Sequence, residues 1–251
     1  MDELTDKAVA IVLISLRIAP TLAFAAPFTL LRVPATIRVL LSISLAAWLV
    51  SAHPAQSWQL DFWSQGLFVT ALGELFLGIA LSLSLQLAFA ALLTAGRALD
   101  IQAGFGLAVL VDPTTRSHMP LVGTIFAYAA GVIFFATEGP ADLLAIWSAS
   151  LDHVPLGSAT IGGDIAVLSG YISGVFVMAF GLGGLIMLAL FLSDLAIAFM
   201  SRTLPQMNVM LLGFQVKAMV LLATLPLAIT LAASLFLRMV RYALETAPRL
   251  I

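Results

Sequence analysis

The 251-residue sequence predicts an all-α membrane protein of about six long hydrophobic helices, on three observations. Hydrophobic residues make up 62% of the chain and charged residues only 10%, whereas a soluble domain runs at roughly 45–50% apolar and about 25% charged. Mean hydropathy is +1.12. Six apolar segments approach or exceed the roughly 20 residues that carry a helix across a bilayer. So few charges cannot cover the surface of a soluble fold of this size. A bilayer removes that difficulty, and its apolar core forces backbone hydrogen bonds to close within helices.

The six segments follow in order. The first spans about Ala8–Leu30 and carries Arg17, Pro20 and Pro27. The second, about Ile37–Ala52, is short. The third, about Gly66–Leu93, is long enough to tilt or to extend past the membrane. The fourth covers about Pro120–Thr137 and the fifth about Leu168–Met200. The sixth, about Gly213–Val240, holds Pro226 near its middle. Ala23-Phe24-Ala25 has the form of a small-x-small cleavage site. The start Met1-Asp2-Glu3 is acidic, however, and Arg17 interrupts the apolar run, unlike a secretory leader. The first segment is therefore expected to be retained. One membrane domain, 1–251, is the expected organisation.

Two connections are long. Thr94–Met119 contains Arg97, Asp100, Asp112, Arg116 and three glycines. Its apolar run Gly104-Phe105-Gly106-Leu107-Ala108-Val109-Leu110-Val111 is too short to span. It suits a re-entrant segment or a loop buried in protein, since irregular backbone at membrane depth survives only against protein or water. Glu138–Gly170 holds four acids and no Lys or Arg. Basic residues favour the cytoplasmic side. Arg32, Arg38, Arg97, Arg116 and Arg202 agree with an outside N-terminus. Six spans would then leave the tail with Arg238, Arg241 and Arg249 outside as well, so the count and the charge rule conflict.

Net charge is −2 with no cysteine. That balance does not suit nucleic acid or a polybasic surface binder. Disulfides, thiolate metal sites and cysteine nucleophiles are excluded. His53, His118 and His153 fall in expected loops without metal-ligand spacing. No serine sits in a nucleophile motif, and no glycine loop is built for phosphate.

The polar residues inside apolar segments are the informative ones. Glu74, in Gly73-Glu74-Leu75-Phe76-Leu77-Gly78, sits where a carboxylate costs a few kcal/mol unless it faces protein or water. It reads as a proton or ion site, or else as a buried partner for a base or a carboxyl kept protonated by desolvation; the latter readings carry more weight, because no second deep carboxylate accompanies it. Arg17 and Lys217 are the bases, and either can pair with Glu74 or Asp194. Lys217 can also snorkel to the interface. Gly170, Gly174 and Gly181 share one helix face, which suits close packing of helices, here or between subunits. The stretch Met200–Met210 joins two apolar segments with flexible, adaptable side chains suited to a partner.

With these residues assembled, the chain resembles the FliR family of flagellar export-gate proteins and, more broadly, the SctT proteins of virulence type III secretion. The resemblance runs over nearly the whole chain. It rests on Arg17, Pro27, Pro34 and Arg38, on Gly73-Glu74 with Gly78, and on Ala95-Gly96 with Asp100, Gln102 and Gly104. Asp112-Pro113 and Val154-Pro155 with Gly157 follow. The most specific stretch is Arg202 with Pro205-Gln206-Met207-Asn208-Val209, then Gly213 and Lys217. Family members often have proline where this chain has Gln215.

The resemblance implies a non-enzymatic subunit of the flagellar type III export gate, without cofactor or metal. It implies tilted helical hairpins in a FliP/FliQ/FliR-type helical assembly, with residues 1–165 FliP-like and 166–251 FliQ-like. The implied partners are FliP-like and FliQ-like subunits, FlhB-like and FlhA-like components, unfolded export substrates and lipid. The implied place is the bacterial inner membrane at the flagellar basal body. The pore plug would be Gly104–Val111, through Gly104, Phe105, Gly106, Leu107, Val109 and Leu110. Glu74, Arg17, Asp194 and Lys217 would hold the assembly together. The rival expectation is a small ion-coupled secondary transporter using Glu74.

Overall fold

The computed structural model describes residues 2–25, 28–29, 33–54, 66–105, 120–158, 165–203, 209–231 and 233–246. Among them every regular element is helical: α1 (Asp2–Phe24), α2 (Ala35–Ala52), α3 (Leu67–Ala103), α4 (Leu121–Ala136), α5 (Gly139–His153), α6 (Ile165–Thr203), α7 (Val209–Leu231) and α8 (Ala233–Thr246). The protein is an all-α membrane protein. α1, α2, α3, α6 and α7 are each long and apolar enough to cross a bilayer. α4 and α5 qualify only as a pair, bent by 74° at the break between them.

Several expected boundaries move. α3 continues through 37 residues to Ala103, so Arg97 and Asp100 are helical and do not lie in a connection. At 1.5 Å per residue α3 is about 55 Å long, well beyond a hydrocarbon core of roughly 30 Å. Its polar C-terminal turns therefore need not leave the helix to leave the lipid. The acidic stretch after the fourth segment is not one long connection either. It contains α5, started by Pro140 in the first turn with Asp142 beside it; both favour a helix N-terminus. The sixth segment divides into α7, with Pro226 inside it, and α8. Of the histidines expected in loops, His53 is the C-cap of α2, with Nε2 2.9 Å from Ser148 Oγ, and His153 is the exposed last residue of α5, with Nδ1 2.9 Å from the Ala149 carbonyl.

The chain forms two compact units, Met1–Leu87 with Gly131–Ile172 and Val240–Ile251, and Ala88–Ala130 with Ser173–Met239. In the first unit, α1 buries Ala10, Leu13, Ile14, Ile18 and Leu22. That spacing follows one face of a 3.6-residue helix. It meets Leu49 of α2, Leu77 and Leu81 of α3, Phe134 of α4, and Leu143, Trp147 and Leu151 of α5. Arg38 Nη1 donates to the Ala23 carbonyl at 2.8 Å, placing a cation at the C-terminal end of α1, where the helix dipole favours it. Tyr171 donates its hydroxyl to the Ser84 carbonyl, and its ring lies 5.3 Å from that of Tyr242.

In the second unit α3 and α4 cross in close contact. A Cβ on Gly96 would fall on the backbone of Gly123, and one on Gly123 would come within 2.7 Å of the Leu93 carbonyl. Phe126 and Phe236 pack edge-to-face at 6.0 Å. On α6, Gly170 and Gly181 have nothing within 4 Å of where a Cβ would stand. Neither of these two glycines is used for close packing among the described residues.

Candidate functional site: two charge clusters

Position 17 falls in phase with Ala10, Leu13, Ile14 and Thr21 on the buried face of α1. An arginine there has no route to water and must be satisfied by protein. Position 74 is likewise in phase with Thr70, Leu77 and Leu81 on α3. Arg17 Nε donates to Glu74 Oε2 at 2.7 Å, with the side chains 1% and 0% exposed. Arg17 Nη1 donates to Ser150 Oγ at 3.2 Å, and Nη2 to the Val154 carbonyl at 3.1 Å. The second carboxylate oxygen, Glu74 Oε1, accepts the Gly157 N–H at 3.0 Å.

Both ions are thus paired and also hydrogen-bonded, the condition under which charge survives burial. Gly157 has φ +82°, a left-handed conformation that glycine adopts without strain. That turn aims its N–H at Glu74. Gly78, one turn beyond Glu74, sets the approach of α1, since a Cβ there would stand 2.9 Å from the Arg17 Cα. The cluster ties α1, α3, α5 and the turn after α5 into one knot.

The second cluster lies in the other unit. Lys217 of α7 is ion-paired with Asp194 of α6 and donates to the Gln102 carbonyl at 3.2 Å. Gln102 Nε2 donates to the Met187 carbonyl at 3.3 Å. Lys217 is 21% exposed and Asp194 43%. Just beyond, α3 ends in a Schellman stop: Gly104 has φ +93°, Gly104 N–H donates to the Ile101 carbonyl at 3.1 Å, and Phe105 N–H to the Asp100 carbonyl at 2.9 Å. Phe105 packs edge-to-face on Phe214 of α7 at 5.9 Å.

The structure thus joins Arg17 to Glu74 and Lys217 to Asp194, in separate units. Of the expected plug residues, Gly104 and Phe105 are placed. Gly106, Leu107, Val109 and Leu110 lie outside the described residues, as do Asp112, Pro113, Pro205, Gln206 and Asn208. Arg202 is exposed in the last turn of α6. Among the described residues no group of His, Asp and Glu could hold a metal ion. Sequence reading missed Ser150 and the Gln102 carbonyl as partners. Neither carries a spacing signal, because each acts across a long stretch of chain. Gly157 was legible only as a glycine after Val154-Pro155.

Paired charges buried among helices long enough to cross a bilayer define an integral membrane protein whose ionic groups tie helices together. The profile of the family described as bacterial export proteins, family 1, matches residues 8–243, and the chain belongs to that family. It is 28% identical over 229 residues to the flagellar biosynthetic protein FliR of Bacillus subtilis, covering 86% of this chain and 85% of that one. It is 29% identical over 167 residues to FliR of Escherichia coli, covering 66% and 61%. With the secretion system apparatus protein SsaT of Salmonella typhimurium it shares 28% over 159 residues, 61% of this chain and 60% of that one. The chain is a membrane protein of the flagellar and type III export apparatus.

Proposed function

We propose that this chain is a non-enzymatic subunit of the flagellar type III export gate. In this reading it assembles with FliP-like and FliQ-like subunits, beside FlhA-like and FlhB-like components. It sits in the bacterial inner membrane at the flagellar basal body and helps to form and plug the conduit for unfolded flagellar proteins. The observation that carries the reading is the family match across residues 8–243. The surface supports it. α2 exposes Leu40 and Trp48, α6 exposes Val177 and Leu188, and α7 exposes Met219 and Leu222. Apolar area on that scale calls for lipid or partner subunits.

In the same reading residues 104–111 plug the conduit. Gly104 ends α3 sharply, and Phe105, Leu107 and Leu110 supply apolar bulk that excludes water. The buried pair Arg17–Glu74 and the partly exposed pair Lys217–Asp194 hold helices in the arrangement that the assembly needs. The ion-coupled carrier is disfavoured, because both Glu74 oxygens are already engaged by Arg17 and Gly157.

Coexpression with FliP-like and FliQ-like candidates, extraction in mild detergent and native mass spectrometry test the proposal. One particle containing all three is the expected result. A stable particle of this chain alone, indifferent to both candidates, would overturn it. Glu74→Gln separates the rival: a carrier would lose ion coupling while staying folded alone, whereas a gate subunit would assemble poorly or show little defect.

A further inference from the structure

α6 holds two charged residues, Asp194 and Arg202, and α7 holds one, Lys217. Arg202 is exposed in the last turn of α6, where a cation suits both the helix dipole and a membrane interface. At 1.5 Å per residue Asp194 lies about 12 Å further in, close to half of a hydrocarbon core of roughly 30 Å. Lys217 meets it there. One turn away, a Cβ on Gly213 would stand 3.6 Å from Ile197 Cδ1, so α6 and α7 run in contact. The chain nevertheless leaves the pair open, with Asp194 43% and Lys217 21% exposed. Phe191, Leu195 and Phe199 of α6 are exposed beside it. An ion pair with an open edge is thus set into an apolar helix surface.

The chemistry of that edge selects what covers it. Lipid tails offer no hydrogen bond, and a polar group facing them is costly. The pair is already neutral, so a further cation or anion would bring uncompensated charge to the same depth. An ammonium has three donors; Asp194 takes one and the Gln102 carbonyl, at 3.2 Å, a second. The Gln102 amide nitrogen is itself turned to the Met187 carbonyl at 3.3 Å. The edge therefore presents a carboxylate acceptor beside an ammonium donor. A carboxamide is its neutral complement, with N–H donors and a carbonyl acceptor side by side. We propose that the Asp194–Lys217 edge docks an apolar helix of another subunit, through an Asn or Gln side chain that donates to Asp194 and accepts from Lys217. The inference rests on the gate-subunit reading above and adds to it the face of α6 that meets a partner and the group that the partner brings.

Photo-crosslinking tests this in the complex of the chain with its coexpressed FliP-like and FliQ-like partners, once native mass spectrometry has shown that all three assemble. A benzophenone side chain is placed at Phe191 and, in a second chain, at Leu195. Both positions are expected to join one apolar helix of another subunit, with an Asn or Gln within a turn of the joined residue. Changing that amide to Leu is expected to weaken the hold on that subunit by about three- to twentyfold, the range of a hydrogen bond between membrane helices, read from its retention as the complex is diluted. Asp194→Leu with Lys217→Leu is expected to match that loss, and all three changes together to add nothing. The amide variant leaves this chain intact, so it decides the matter even if the double variant fails to fold. No crosslink to protein, a crosslink to a second copy of this chain, a joined helix without an amide at that level, or an amide variant without effect overturns the inference, while the assembled complex keeps the gate-subunit reading. If the three chains do not assemble, the gate-subunit reading fails and this inference falls with it.

Discussion

Gly78 of α3 faces the main chain of Arg17 across the crossing with α1. A Cβ at position 78 would stand 2.9 Å from the Arg17 Cα. One turn earlier on α3, the Glu74 carboxylate reaches the guanidinium at 2.7 Å. The absent side chain at 78 and the ion pair at 74 are two parts of one contact. The helices approach closely enough for the bond because nothing at 78 holds them apart.

Breaking this pair from one side is expected to be costly. Arg17→Met leaves the Glu74 carboxylate buried without its cation, which destabilises by about 3–5 kcal/mol. Arg17→Met combined with Glu74→Leu removes both charges and is expected to regain a substantial part of that loss. Thermal unfolding of the detergent-solubilised complex reads the order: wild type, then double, then single. A double variant no more stable than R17M would show that the two side chains do not act as a pair.

Gly78→Ala is expected to force α1 and α3 apart, at about 1–3 kcal/mol for an overpacked site. Gly170→Ala and Gly181→Ala on α6 meet open space. There the ordinary helix preference for alanine over glycine, about 0.5–1 kcal/mol, should appear as a small gain in stability of the isolated chain. Melting temperatures of the three variants check the contrast. Loss of partner binding by G170A or G181A without loss of chain stability would place that face against another subunit.

The membrane-length helices were legible because a long apolar run has one dominant physical reading. α5 and α8 were not, for the converse reason. In α5, Leu143, Trp147 and Leu151 are buried at spacings of four, while Asp142, Ser148 and Asp152 break up the apolar run. In α8, Phe236, Met239, Val240 and Ala243 form the buried face while Arg238 and Arg241 are exposed. Both are amphipathic helices, hidden when only span-length hydrophobicity is sought. Arg17, Glu74, Asp194 and Lys217 stood out as charges in apolar surroundings. Which base meets which acid could not be read, since 57 residues separate Arg17 from Glu74 and pairing at that distance depends on tertiary packing. The bond from the Val122 N–H to Asp100 was hidden in the same way, across 22 residues.

Phe105 and Phe214 should be energetically coupled. Their rings meet edge-to-face at 5.9 Å, an arrangement worth about 0.5–1.5 kcal/mol beyond buried area. The single alanine variants and the double variant, compared by thermal unfolding of the assembled complex, form a double-mutant cycle. The expected coupling lies in that range. A coupling near zero would mean that the first residue after Gly104 is not held by α7.

The Lys217–Asp194 pair should behave differently from Arg17–Glu74, because its exposure is different. Asp194 is 43% exposed and Lys217 21%. A partly exposed pair facing water gains little, about 0–1 kcal/mol, because solvent screens it. Facing lipid, the same carboxylate could not remain charged cheaply without its lysine. Lys217 also holds the Gln102 carbonyl, so its loss removes two contacts and loss of the Asp194 charge removes one. Lys217→Met is therefore expected to destabilise the isolated chain more than Asp194→Asn, and both less than R17M. Measuring the three by thermal unfolding at low and high salt checks the ranking. The Lys217–Asp194 contribution should weaken with salt where the pair is wetted, while that of the sealed Arg17–Glu74 pair should not. A D194N effect as large as that of R17M and insensitive to salt in the isolated chain would mean that the chain itself seals the pair and leaves no open edge for a partner subunit.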